Sequence, residues 1–296
     1  MEMTLDQFKM TMLPKLEETL KQQLAENMPA DSTLYQAMNY SVEAGGKRIR
    51  PLLLLATIQV LSGNVESGLL VATALEYIHT YSLIHDDLPA MDDDALRRGK
   101  PTNHIVYGEA LAILAGDGLL TYAFELVGES PFLTNQQRVK LVVALAKAAG
   151  PTGMVLGQVA DIEGEDQQLP LSELQKVHQK KTGELLKFAA YAGAVIANAD
   201  TATEKSLVEF ASHIGLAFQI RDDILDVIGT TAELGKETGM DTIHQKSTYP
   251  NLLTLDGAKE ALNLELNLAR KSIIELEQTL AIDTSLLSGF IELLEI

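Results

Sequence analysis

Residues 69–94 read LLVATALEYIHTYSLIHDDLPAMDDD. Leu69, Ala72, Leu75, Tyr77 and Ile78 recur at helical spacing, and the apolar stretch continues from His79 to Ile84 before the charge begins. A helix of this kind lays its apolar side in a core, so it carries Asp86 toward the interior rather than away from it. Five carboxylates then fall between Asp86 and Asp94, and they repel one another unless water or cations screen them. On an unbroken helix Asp86 and Asp92 would point in different directions. Pro89 removes a backbone donor and disfavours helix at Leu88, which predicts a turn that brings Asp92 back beside Asp86.

The same three- and four-residue spacing governs the rest of the chain, as in Leu185, Phe188, Ala189 and Ala192, and no run of strict alternation marks a strand. Breaks fall at Gly45-Gly46, Leu61 to Asn64, Gly99 to Pro101, Gly128 to Pro131, Gly150-Pro151, Gly164 to Pro170, Asn198 to Thr203 and Gly229 to Pro250. They cut the chain into about ten helices with short links. No break has the composition of an interdomain linker and no repeat appears, so the expectation is an all-α fold, a single bundle spanning residues 1–296 as one domain.

Composition narrows the function. The chain has 296 residues, 46% hydrophobic and 22% charged, with 9 Pro and no Cys. Absence of Cys excludes disulfides, zinc-thiolate sites, iron–sulfur clusters and thiol catalysis, so any metal is held by oxygen or imidazole. With 23 basic against 41 acidic residues the net charge is −18. A chain so acidic repels phosphate polymers, which argues against nucleic acid as a partner. The opening residues lack a positive segment followed by an apolar one, and the run Leu52–Leu61 falls far short of the roughly 20 apolar residues that span a bilayer. The expectation is a cytoplasmic protein with no membrane span.

A second acidic cluster, QIRDDILD at 219–226, places Asp222 and Asp226 at i and i+4 on one helix face among Ile220, Ile224, Leu225 and Val227. Two such clusters in an all-helical chain predict hard oxygen ligands facing each other across a bundle. That donor set suits Mg²⁺, which keeps several waters and binds through a few carboxylates plus substrate phosphate oxygens. An acidic protein that binds a diphosphate also needs local cations. GGKRIRP at 45–51 supplies Lys47 and Arg50 at an expected helix start, with Pro51 in the first turn and glycines that let backbone N–H groups approach an anion. Arg97, Arg98, Lys181, Lys236 and Lys246 lie close to the two acidic clusters in sequence.

These motifs together resemble the trans-isoprenyl diphosphate synthases. The matching strings are GGKRIRP at 45–51, YSLIHDDLPAMD at 81–92, RRGKP at 97–101, KTG at 181–183, GLAFQIRDDILD at 215–226 and KSTYP at 246–250, in family order. The resemblance implies an all-α bundle around a central cavity, a homodimer, and condensation of isopentenyl diphosphate with allylic diphosphates to farnesyl diphosphate. It implies that Asp86, Asp92, Asp222 and Asp226 hold several Mg²⁺ ions, with Asp87 and Asp223 in support. Arg97, Lys181 and Lys236 would bind the allylic diphosphate, and Lys47, Arg50, His79 and Arg98 isopentenyl diphosphate. Thr182 and Gln219 would lie near the developing allylic cation.

Tyr81, upstream of Asp86 on the same helix, is expected to form the floor that limits product length. Three other readings share parts of this pattern. A geranylgeranyl diphosphate synthase differs only in chain length. A terpene cyclase usually carries an Asn/Ser/Glu metal motif in place of DDILD and needs neither Lys47 nor Arg50. A non-catalytic partner subunit tends to lose one acidic motif, and both are intact here.

Overall fold

The computed structural model describes residues 3–165, 167–229 and 247–296. It is 77% helical. The first helices are α1 (Leu5–Asn27), α2 (Thr33–Val42), α3 (Ile49–Val60) and α4 (Leu69–Asp86). A two-stranded antiparallel hairpin, β1 (Leu96–Arg97) with β2 (Lys100–Pro101), leads into the short α5 (Asn103–Tyr107). The next elements are α6 (Glu109–Glu129), α7 (Asn135–Ala149), α8 (Met154–Glu163) and α9 (Leu171–His178), and α9 runs on into a π-helical turn, Gln179–Gly183. The described chain closes with α10 (Glu184–Ile196), α11 (Thr201–Ile228), α12 (Tyr249–Leu280) and α13 (Ser285–Glu292).

Helix ends follow local chemistry. Thr4 and Thr134 cap α1 and α7 in reciprocal boxes with Gln7 and Gln137, satisfying backbone donors that the first helical turn leaves open. Helix α4 is the axis of the bundle: it packs on α1, α2, α3, α6 and α10, and nearly every residue from Val71 to Tyr81 is buried. Helices α10 and α11 form the opposite wall. Gly193 on α10 sits where a Cβ would come within 2.6 Å of the Leu54 carbonyl oxygen and Thr57 Cβ, so a glycine there permits the close approach of α10 to α3.

The all-α expectation holds, and each predicted break from Gly45-Gly46 to Asn198–Thr203 coincides with a helix boundary or the hairpin, while the last, Gly229 to Pro250, lies mostly outside the described residues. Three further boundaries escaped the reading: 28–32 and 281–284, which carry no Gly, and Gly108 between α5 and α6. Two stretches bear on the membrane expectation. Glu109–Glu129 and Asn135–Glu163 are long and apolar enough, by length and composition, to cross a bilayer. The second is two helices separated by the turn at Gly150–Gly153, and the first holds Asp117 and Glu125 and packs on α4. Both are bundle helices in this fold.

Candidate active site

The predicted turn is present. The Asp92 backbone N–H donates to the Asp86 carbonyl at 2.9 Å, and Leu88 accepts from Met91 and Asp93, so the segment after α4 folds back on itself. Asp86 and Asp92 therefore flank one cleft. Its larger part is a cavity of about 930 Å³ lined by α4, α8, α11, the π-helical turn and the loop before α3. A smaller part of about 310 Å³ shares Asp86, Asp94, Arg97, Lys181, Gln219 and Asp222 with it and adds Asp92, Asp161 and Asp223. Acids from both clusters thus meet across a single opening.

Burial pushes the Asp86 carboxyl up to about 6; Lys181 pulls against this and Asp92 adds to it. Asp87 is 3% exposed, accepts a hydrogen bond from Arg97 Nε at 2.6 Å and forms an ion pair with the same guanidinium. Asp223 accepts from the Tyr249 N–H at 3.0 Å and lies 3.6 Å from His178, which stacks on Tyr249. Asp87 and Asp223 are thereby both engaged with protein groups. Among the described residues Asp226 is not part of the lining of either part of the cleft. It is 4% exposed in the last turn of α11, with its Oδ1 unpartnered, so a shared helix face did not carry it to the opening occupied by Asp222.

Arg97 and Lys181 stand among these acids, and four further polar residues lie in the larger part. Lys47, Arg50, His79 and Arg98 all line the larger cavity. Arg50 donates to His79 Nε2 at 3.2 Å, and its own Nε is buried without a partner. Burial, reinforced by Arg50 and Arg98, holds the His79 imidazole well below its ordinary pKa, so it is neutral. Because a guanidinium only donates, Nε2 is the acceptor and the proton sits on Nδ1. Arg98, with positive φ, reaches from the hairpin to donate to the Gly45 carbonyl. A Cβ at Gly46 would stand 2.7 Å from that guanidinium. Lys47 lies over the Phe218 ring at 5.8 Å.

Lys181 and Thr182 fall in the π-helical turn, an irregularity frequent at functional sites. Gly157 allows it, since a Cβ there would come within 2.2 Å of the Lys181 nitrogen. Lys181 donates to Asp161 at 2.7 Å; burial pulls its pKa down, but Asp161 and Asp86 outweigh this and raise it. Thr182 donates to Gln219 at 2.8 Å. Tyr81 lines the cavity, 6% exposed, edge-on to His85 at 5.7 Å. Lys236 lies outside the described residues.

Sequence reasoning missed Asp161, Gln158 and Glu76. The available signal, for Glu76, was a lone acidic side chain in the run of residues 69–84.

This chain belongs to the polyprenyl synthetase family, which it matches over residues 31–282. Among its relatives, the farnesyl diphosphate synthase of Geobacillus stearothermophilus is 55% identical over 258 residues, covering 86% of this chain and 87% of that one. The geranylgeranyl diphosphate synthase of Cyanophora paradoxa is 44% identical over 261 residues, covering 88% and 86%. The crystal structure of the geranyltransferase of Helicobacter pylori, complexed with magnesium and isoprenyl diphosphate, matches with a TM-score of 0.83 at 35% identity, covering 91% and 90%.

The donors here fit Mg²⁺. They are carboxylate oxygens on both walls of a cleft, and since among the described residues no three acids or histidines are grouped closely enough to hold a metal ion by themselves, water and phosphate oxygens would have to complete its shell. An open, oxygen-only set of this kind leaves coordination positions for water and phosphate.

Proposed function

We propose that this chain condenses isopentenyl diphosphate with dimethylallyl and then geranyl diphosphate, releasing diphosphate at each step and giving (E,E)-farnesyl diphosphate. The observation that carries this is a single cleft in which Asp86, Asp92 and Asp222 share a lining with Arg97 and Lys181, while Lys47, Arg50, His79 and Arg98 line its larger part. Asp86, Asp92 and Asp222 would hold Mg²⁺, with Asp226 behind them. The bound metal supplies positive charge against the leaving diphosphate. Lys181 and Arg97 bind the same group, and their attraction grows as its negative charge develops, which is catalysis by preorganised electrostatics.

When the allylic carbon–oxygen bond breaks, its electron pair leaves with the diphosphate. The Thr182–Gln219 pair turns oxygen dipoles toward the allylic fragment. Lys47, Arg50, His79 and Arg98 hold isopentenyl diphosphate so that its double bond forms the new carbon–carbon bond. The proton lost in the final elimination passes to an oxygen of the released diphosphate. Water would trap the cation as an alcohol, and side chains such as Met154, Val155, Val159 and Phe218 on the cavity wall exclude it.

We read residues 1–296 as one synthase domain acting in the cytoplasm, where its charged substrates are soluble. Exposed Ile113 and Leu114 on α6, Val139 and Val143 on α7, and Leu156 on α8 support a homodimer. Incubating the protein with Mg²⁺, isopentenyl diphosphate and each allylic primer, then identifying the products, tests the activity. Lys47→Ala and Arg50→Ala are expected to raise KM for isopentenyl diphosphate, by roughly 10- to 150-fold for a charge-assisted contact of ~1.5–3 kcal/mol. Arg97→Ala acts mainly on the allylic substrate. Equal effects on both substrates would refute the division of the cleft.

A further inference from the structure

Between Lys47 and Arg50 stands Arg48, which the roles above leave unused. It borders the cavity yet is 3% exposed. Its backbone is left-handed, φ 49° and ψ 32°, a conformation uncommon for a residue with a side chain. Its guanidinium donates from Nε to Glu17 on α1 at 2.8 Å and from Nη2 to the same carboxylate at 3.2 Å. Nη1 donates to Glu76 on α4 at 2.8 Å, and Nη2 also reaches the Val42 carbonyl at the end of α2 at 2.7 Å. One side chain thus ties three helices to the start of a fourth, and its donors are taken up by protein.

We propose that Arg48 is a positioning residue: through Glu17 and Glu76 it fixes the turn before α3, so that Lys47 and Arg50 face the isopentenyl diphosphate end of the cleft without Arg48 touching substrate. The proposal rests on the synthase reading. Three observations support it. A left-handed residue persists where surrounding contacts over-determine it, and four hydrogen bonds to three separate segments do so here. Glu76, 2% exposed, is the buried carboxylate beneath the basic group, and its charge acts on Arg48, Arg50 and Arg98 together. The planar fork also matters, because donors aimed at Glu17, Glu76 and a backbone carbonyl diverge in a way one ammonium cannot reproduce.

The test uses the full chain in the two-substrate assay. Arg48→Lys keeps the charge and loses the fork; it is expected to raise KM for isopentenyl diphosphate about tenfold while leaving kcat and KM for the allylic substrate within about threefold. Glu17→Gln, at the half-exposed end of the network, is expected to do the same more weakly and keeps the result readable if Arg48→Lys does not fold. A double-mutant cycle then separates the two roles. On the Lys47→Ala background a positioning residue loses the part of its effect on KM that acts through Lys47, whereas a residue that contacts substrate keeps its effect in full.

Unchanged KM in both Arg48→Lys and Glu17→Gln, or full additivity with Lys47→Ala, overturns the proposal. A uniform loss of kcat and both KM values with a lowered Tm overturns it in favour of a role in folding alone. Failure of the unmodified protein to consume isopentenyl diphosphate refutes the synthase reading instead.

Discussion

Asp86→Ala and Asp222→Ala are each expected to lower kcat at least about 10²- to 10³-fold, the loss typical of removing one preorganised group that stabilises developing negative charge. Each removes an acid from one wall of the cleft, and neither acid can substitute for the other because they sit on different helices. Exhaustive chelation of the unmodified protein is expected to abolish turnover to the same degree.

Folding should not suffer. Asp86 has a folded pKa of about 6 against an ordinary value of 3.8, so the folded state binds the proton more tightly and stability falls as pH rises through that window. Above it the ionised carboxylate opposes folding of the metal-free protein, and Asp86→Asn, which loses that charge, should unfold at equal or higher temperature at pH 7.5. The advantage should vanish below about pH 4, where both states are protonated. Near-normal rates in both alanine variants, or a lower Tm in the metal-free Asp86→Asn protein at pH 7.5, would count against a metal-holding cleft.

The residues of this cleft differ in how far a linear pattern reveals them. The Asp86–Asp92 pairing was legible because Pro89 forces a turn and the helical period before it points the chain inward. The convergence of Lys47, Arg50 and His79 rested on a motif rather than a period, and the cavity gathers all three. Asp226 illustrates the limit of helical spacing, which fixes a face but not where an opening on that face ends. The π-helical turn at Gln179–Gly183 leaves no periodic trace, since it inserts one residue into an otherwise helical run. Arg48 was hidden for a related reason. Positive φ in a residue other than glycine is set by tertiary hydrogen bonds, and Glu17 and Glu76 are 31 and 28 residues away along the chain.

Tyr81→Ala is expected to change the product rather than the rate. Tyr81 lies five residues before Asp86 on α4, about 7.5 Å deeper along the helix axis, and lines the cavity beside Ser82. An allylic diphosphate anchored at the acids must send its growing tail in that direction. The ring is held edge-on against His85, whose Nε2 meets the Ile113 carbonyl at 3.1 Å, so the obstacle is braced from α6. Its hydroxyl, pushed up to about 12 by burial, stays neutral at any working pH, so the ring blocks by size and not by charge. Removing it should shift most product from farnesyl to geranylgeranyl or longer chains, read by chromatography of the dephosphorylated alcohols. Turnover of geranyl diphosphate should stay within a few-fold, because the diphosphate contacts are untouched. Tyr81→Phe keeps the ring and should keep farnesyl as the product, which separates bulk from hydrogen bonding. A folded Tyr81→Ala protein that still stops at farnesyl would move the floor to the α8 side chains Val155 and Val159 on the facing wall.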